Sequence, residues 1–206
     1  MVDIDGVVSL FGIPESAAAA SAAAARQPCP PATSSPSAAG SGEDLQVEGN
    51  LHSIDGIPHF LSSTAAAHLL ALLPRFELVW ASGWEEKANE HLPRLLGLPG
   101  PLPYLRFARR PQSGSSTRAH WKLEAIERYA GDRPLAWIDD AFNAACHAWA
   151  RARTAPTLLL STAPDRGLTS REVKLLMAWA AGYPPPAGHR ARAPARAGAA
   201  DRTPPP

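Results

Sequence analysis

Short apolar runs alternating with helical stretches predict an α/β domain of three layers built on a largely parallel sheet. Two observations carry that expectation. Compact apolar runs stand at Phe76–Ala81, Leu135–Ile138 and Thr157–Leu160, and helix-period patterns of about ten residues lie between and after them.

The elements follow in chain order. Residues 1–12 are a short apolar run broken by Asp3 and Asp5, and an Ala/Ser/Pro-rich insert from about Pro14 to Glu43 is expected to be disordered. From Leu45 to Leu61 apolar and polar residues alternate around Asp55-Gly56, a dipeptide suited to the positive φ angles of a tight hairpin turn. Ser62, Ser63 or Thr64 can cap a helix carrying Leu69, Leu70, Leu72 and Leu73. Phe76–Ala81 then reads as a buried strand, with a loop at Ser82-Gly83. Glu85 to Leu96 is helical, acidic at its positive end and disturbed near Pro93. Tyr104–Phe107 is a short strand. Ala119–Ala130 places Trp121, Ala125 and Tyr129 on one helical face, with Gly131 as a stop. Leu135–Ile138 is a strand ending in Asp139-Asp140, Phe142–Arg151 a helix, Thr157–Leu160 a strand, and Thr169–Ala180 a helix capped by Thr169 or Ser170. One folded domain over 1–182 is expected, followed by a disordered Pro/Arg-rich tail at 183–206.

Composition narrows the function classes. Twenty Lys+Arg against 19 Asp+Glu leave a net charge of +1, which removes the electrostatic case for a polyanion-binding surface. Cys29 and Cys146 offer neither a disulfide framework nor zinc-ligand spacing, so a reducing cytoplasm is expected. Ala17–Ala25 is preceded by Asp3, Asp5 and Glu15 rather than a basic segment, and no export signal or membrane span is read.

Ligands in parallel α/β sheets bind beyond the carboxyl ends of the strands. The polar residues at those places are Asp3 and Asp5, Ser82 with Gly83, and Asp139 with Asp140, joined by Lys122 near the start of an intervening helix. Several carboxylates at one edge raise one another's pKa unless a cation lies between them, and hard oxygen ligands suit Mg²⁺. Such a set supplies what phosphoryl transfer needs: a nucleophile, neutralisation of phosphoryl oxygens and a proton source.

Asp3-Ile4-Asp5-Gly6-Val7, Ser82-Gly83, Lys122 and Ile138-Asp139-Asp140 resemble, in order and separation, the four motifs of the haloacid dehalogenase (HAD) superfamily. Residues 77–85 and Gly167-Leu168-Thr169 resemble more narrowly the HAD domain of Swiss Army Knife RNA-repair proteins. The resemblance implies a three-layer Rossmann-like HAD fold, a β-hairpin flap around Asp55-Gly56 and no large cap domain. It implies Asp3 as nucleophile forming an aspartyl-phosphate, and Asp5 as the acid and then the base. Ser82 and Gly83 would hold phosphoryl oxygens, with Gly6 also among the substrate-binding residues, and Lys122 would neutralise charge. Mg²⁺ would bind Asp3, Asp139 and the Asp5 main chain, supported by Asp140. The implied activity is a Mg²⁺-dependent phosphomonoester hydrolase of the cytoplasm, acting on a small molecule or a nucleic-acid end.

Each feature also has a plainer reading. Asp-Xaa-Asp-Gly is common in turns, Lys122 alone would be a solvated helix residue, and Asp139 or Asp140 a helix cap. Trp84 and Trp121 adjoin the Ser82 and Lys122 positions, with packing the favoured role, and His59 is expected to be a surface or hydrogen-bonded residue. The rival functional class is a non-catalytic HAD-like interaction module.

Overall fold

Both residues of the Asp55-Gly56 turn have positive φ, 51° and 80°, as a two-residue hairpin requires. The computed structural model describes residues 1–12, 47–107 and 119–184. The turn joins β2 (Gly49–Ile54) to β3 (Ile57–Ser62), and β1 (Ser9–Leu10) pairs antiparallel with the other edge of β3, giving the order β1-β3-β2. The expected insert at 14–43, and the tail from residue 185 onward, lie outside the described residues.

The second sheet corrects the expectation of a largely parallel sheet. Its regular ladder holds two parallel strands, β4 (Leu135–Asp139) and β5 (Thr157–Ser161), whereas the three-stranded sheet is antiparallel. The molecule is therefore mixed α/β. Three further segments join β4 only through single parallel bridges: Ile138 to Val2, Val2 to Trp80, and Trp80 to Tyr104. Local chemistry explains why the expected strands at Phe76–Ala81 and Tyr104–Phe107 shrink to one pairing each. The Phe76 amide closes the preceding helix on Leu72, and Pro101 and Pro103 have no amide to donate.

Among the described residues five α-helices complete the fold: α1 (Ser63–Leu72), α2 (Lys87–Leu95), α3 (Leu123–Ala130), α4 (Ala144–Ala152) and α5 (Ser170–Ala180). Ser62 Oγ accepts the Ala65 amide at the start of α1, and Thr169 with Glu172 forms a capping box on α5. Helices α2, α3 and α4 start later than their patterns predict. Residues Ala119–Lys122 form a 3₁₀ turn before α3, and Asn143 caps α4 by accepting the Ala145 and Cys146 amides. Pro93 stands inside the last turn of α2, where it removes one helical amide donor.

Successive residues of the bridged segments sort into two cores. Val2, Trp80 and Ile138 pack with Leu69 of α1, Leu92 of α2 and Leu176 of α5. Met1, Val79, Ala81 and Trp137 pack with Ile126 of α3 and Cys146 of α4. Among the described residues no helix is long and apolar enough to cross a membrane.

Candidate active site

Asp3 is held by its neighbours on both sides. Val2 donates to Val79 and accepts from Ala81, and the Asp3 amide donates to the Ile138 carbonyl at 3.0 Å. The 3₁₀ turn delivers Lys122 to the same place, only 4% exposed, with Nζ 2.7 Å from Asp3 Oδ2 and 2.6 Å from Asp139 Oδ2. The second oxygens are fixed by main-chain donors, Asp3 Oδ1 by Ile4 and Asp139 Oδ1 by Ala141. Burial pushes the Asp3 carboxyl up to about 7; Lys122 opposes that rise and Asp139 adds to it. Burial alone would lower the Lys122 ammonium, but the two carboxylates outweigh it and hold it above its ordinary value.

Asp5 faces a different partner. The Trp84 indole N–H donates to Asp5 Oδ2 at 3.0 Å, and the Trp84 ring meets His59 of β3 edge-on, centroids 4.8 Å apart. His59 Nδ1 in turn lies 3.0 Å from Ser9 Oγ, so the hairpin is joined to the Asp5 neighbourhood. Burial raises the Asp5 carboxyl above its usual range, and the Trp84 hydrogen bond partly offsets this.

Gly6, expected among the substrate-binding residues, stands in the turn that follows Asp5. Its amide donates to the Ser9 carbonyl at 2.7 Å and is therefore committed within the chain. What the position provides is space: a Cβ there would lie 2.4 Å from the Asp140 carboxylate, and φ is +71°. Thr162 Oγ also donates to the Gly6 carbonyl at 2.8 Å, tying this loop to the end of β5.

Ser82 Oγ is buried without a hydrogen-bond partner, and the Gly83 amide has no acceptor among the described residues. Trp121 lies 3.8 Å from where a Gly83 Cβ would stand. Asp3, Asp139 and Asp140 each present a carboxylate oxygen, all within 4.8 Å of one another. One ammonium faces this crowd, and burial, then Asp139, raises the Asp140 carboxyl too. A small hard cation fits that donor set and its charge deficit. The Asp5 carboxylate is outside the trio, and the Asn143 oxygen is occupied as a helix cap.

Trp84 and Thr162 are the residues whose polar roles the sequence did not disclose, because their hydrogen bonds span 79 and 156 positions of chain. No local pattern announces such partners. Arg106 pairs with Glu86 on the surface, whereas Arg109 and Arg110, which stand close to it in sequence, lie outside the described residues. The chain matches no protein-family model, no curated protein and no solved structure.

Proposed function

We propose that this chain is a HAD-type, Mg²⁺-dependent phosphomonoester hydrolase on a three-layer Rossmann-like fold. The observation that carries the reading is the buried Lys122 ammonium bridging Asp3 and Asp139, beside the unpartnered Ser82 hydroxyl. Support for the fold comes from the run of parallel bridges through Tyr104, Trp80, Val2 and Ile138 to β5, and from helices packed against both faces. The antiparallel hairpin, joined to the site by His59 and Trp84, is the flap.

In this reading a carboxylate oxygen of Asp3 attacks phosphorus and the phosphoester bond breaks, with the alkoxide taking a proton from Asp5. Trp84 determines which Asp5 oxygen carries that proton. An indole N–H can only donate, so Oδ2 stays an acceptor and the proton sits on Oδ1. Water then loses a proton to Asp5 and attacks the aspartyl-phosphate, releasing phosphate and restoring Asp3. Ser82 Oγ and the Gly83 amide donate to phosphoryl oxygens, and Lys122 holds Asp3 in place. Asp3, Asp139 and Asp140 would hold a magnesium ion, which would supply neutralisation of the phosphoryl charge when bound. Trp84 and Trp121 beside Ser82-Gly83 make nucleotide and RNA ends the first substrates to examine.

Release of phosphate from an aryl phosphate, with Mg²⁺ and with chelator, tests the reading. Turnover is expected only with the metal, and Asp3→Asn is expected to lower it by on the order of 10³-fold or more. A folded protein with no turnover on aryl, nucleotide or RNA phosphates would sink the proposal.

A further inference from the structure

Asp5 depends on a partner that the hairpin itself holds. Among the described residues its carboxylate takes one hydrogen bond, from the Trp84 indole N–H at 3.0 Å, while Lys122 spends its bonds on Asp3 and Asp139. Trp84 stands in the turn after Ser82, where the Glu85 amide donates to the Ser82 carbonyl and Glu85 takes a φ of 48°. An indole that turned about its Cβ–Cγ bond would carry the N–H off the carboxylate oxygen, so whatever bears on the ring decides the bond.

His59 of β3 bears on it, with centroids 4.8 Å and planes 66° apart. His59 is fixed in turn, because its Nδ1 and Ser9 Oγ share a hydrogen bond of 3.0 Å. Ser9 is 1% exposed, its amide donates to the Ile4 carbonyl, and its carbonyl accepts from the Gly6 amide. It is therefore anchored to the residues on either side of Asp5. The contacts close on themselves, running from Asp5 through Trp84, His59 and Ser9 back to the loop that carries Asp5. Pairing of Ser9 with Leu61 and of Leu10 with Phe60 holds β3 against the same loop.

We infer that His59 is a positioning residue for Asp5: locked by Ser9, its ring holds the Trp84 indole so that Oδ2 stays bound and Oδ1 stays available to the leaving oxygen. This role rests on the hydrolase reading, in which Asp5 protonates the leaving alkoxide. The ring and its hydrogen bond do separate things. The imidazole edge limits rotation of the indole, and the Ser9 bond limits rotation of the imidazole, whose terminal torsion is otherwise broad.

Trp84 is read first and turnover second. The indole N–H resonances of His59→Ala and Ser9→Ala are compared with those of the parent chain, the Trp84 line being identified by its loss in Trp84→Phe. His59→Ala is expected to move that line and to speed its exchange with solvent by at least about tenfold, and Ser9→Ala to give a smaller change of the same sign. In turnover, the leaving group separates positioning from general damage. An alkyl phosphate needs a proton on its leaving oxygen and a nitrophenyl phosphate barely does, so His59→Ala is expected to lower kcat/KM for the alkyl ester by about fivefold relative to the nitrophenyl ester. In a Trp84→Phe background the same substitution is expected to add less than about twofold. An unmoved Trp84 line in both variants would overturn the role, and so would an equal loss on the two esters or an undiminished effect in the Trp84→Phe background. A chain that turns over neither ester would overturn the hydrolase reading instead, with the Trp84 line still deciding whether His59 and Ser9 hold the partner of Asp5. Ser9→Ala removes a single oxygen atom and keeps that decision available if His59→Ala does not fold.

Discussion

Two lysines in this molecule make contacts of the same length in opposite surroundings. Lys122 lies 2.6 Å from Asp139 with both side chains nearly sealed from water, whereas Lys87 lies 2.6 Å from Asp55 with both more than half exposed. Distance therefore says little about what an ion pair does. At the hairpin tip, solvent screens the pair and its energetic worth is small. At the strand ends, desolvation leaves each charge dependent on the others, and the cluster is poised because three acidic side chains crowd one ammonium. The exposed pair adds little to the hairpin; the buried one sets the charge of the candidate site.

Breaking the buried pair is expected to have the largest effect. Lys122→Met leaves Asp3 and Asp139 without a counter-charge and should cost about 3–5 kcal/mol, read from the urea midpoint. Phosphatase turnover should be lost with it.

Asp3→Asn should have the opposite sign in metal-free buffer. Folded Asp3 holds its proton more tightly than the unfolded chain does, with its pKa raised from 3.8 to about 7. Its contribution to stability is whole below about pH 3.8 and is lost as pH rises through about 7. The variant escapes that loss, so its advantage over the wild type should grow by on the order of 2 kcal/mol between about pH 5 and about pH 8. An advantage that stays flat with pH would mean that Lys122 fully neutralises Asp3.

Trp84→Phe probes a buried carboxylate held by a neutral donor. It should lower kcat by about tenfold with KM nearly unchanged, and cost about 1 kcal/mol of stability. Trp84→His, which can restore a ring N–H, should recover part of kcat. Asp55→Asn comes last, with no measurable shift in Tm at physiological salt, although Lys87 holds the Asp55 carboxyl below its usual range.

Local chemistry explains what could be read without coordinates. The Asp55-Gly56 turn, the Thr169 cap and the stop at Gly131 each depend on residues within one turn of chain, and each stands where its pattern places it. Asp3, Ser82 and Asp139 could be singled out because each directly follows an apolar run. The sheet was less legible, since prolines 101 and 103 and the closure of α1 on Phe76 limit pairing in ways that apolar patterning does not register. At Gly6 the distant partner was likewise not legible: its amide is committed to Ser9, and the demand for glycine comes from Asp140, 134 positions along the chain.

The contact between Gly6 and Asp140 also supplies a rule for reading other sequences of this kind. A carboxylate can stand at position 140, close to Asp3 and Asp139, only because position 6 has no side chain to evict it. The two positions should therefore evolve as one unit. A lineage that acquires alanine or serine at 6 is expected to abandon the acidic residue at 140 in the same step, and a pair such as Gly6→Ala with Asp140→Gly should be milder than Gly6→Ala alone, with the strain of a side chain at φ +71° remaining.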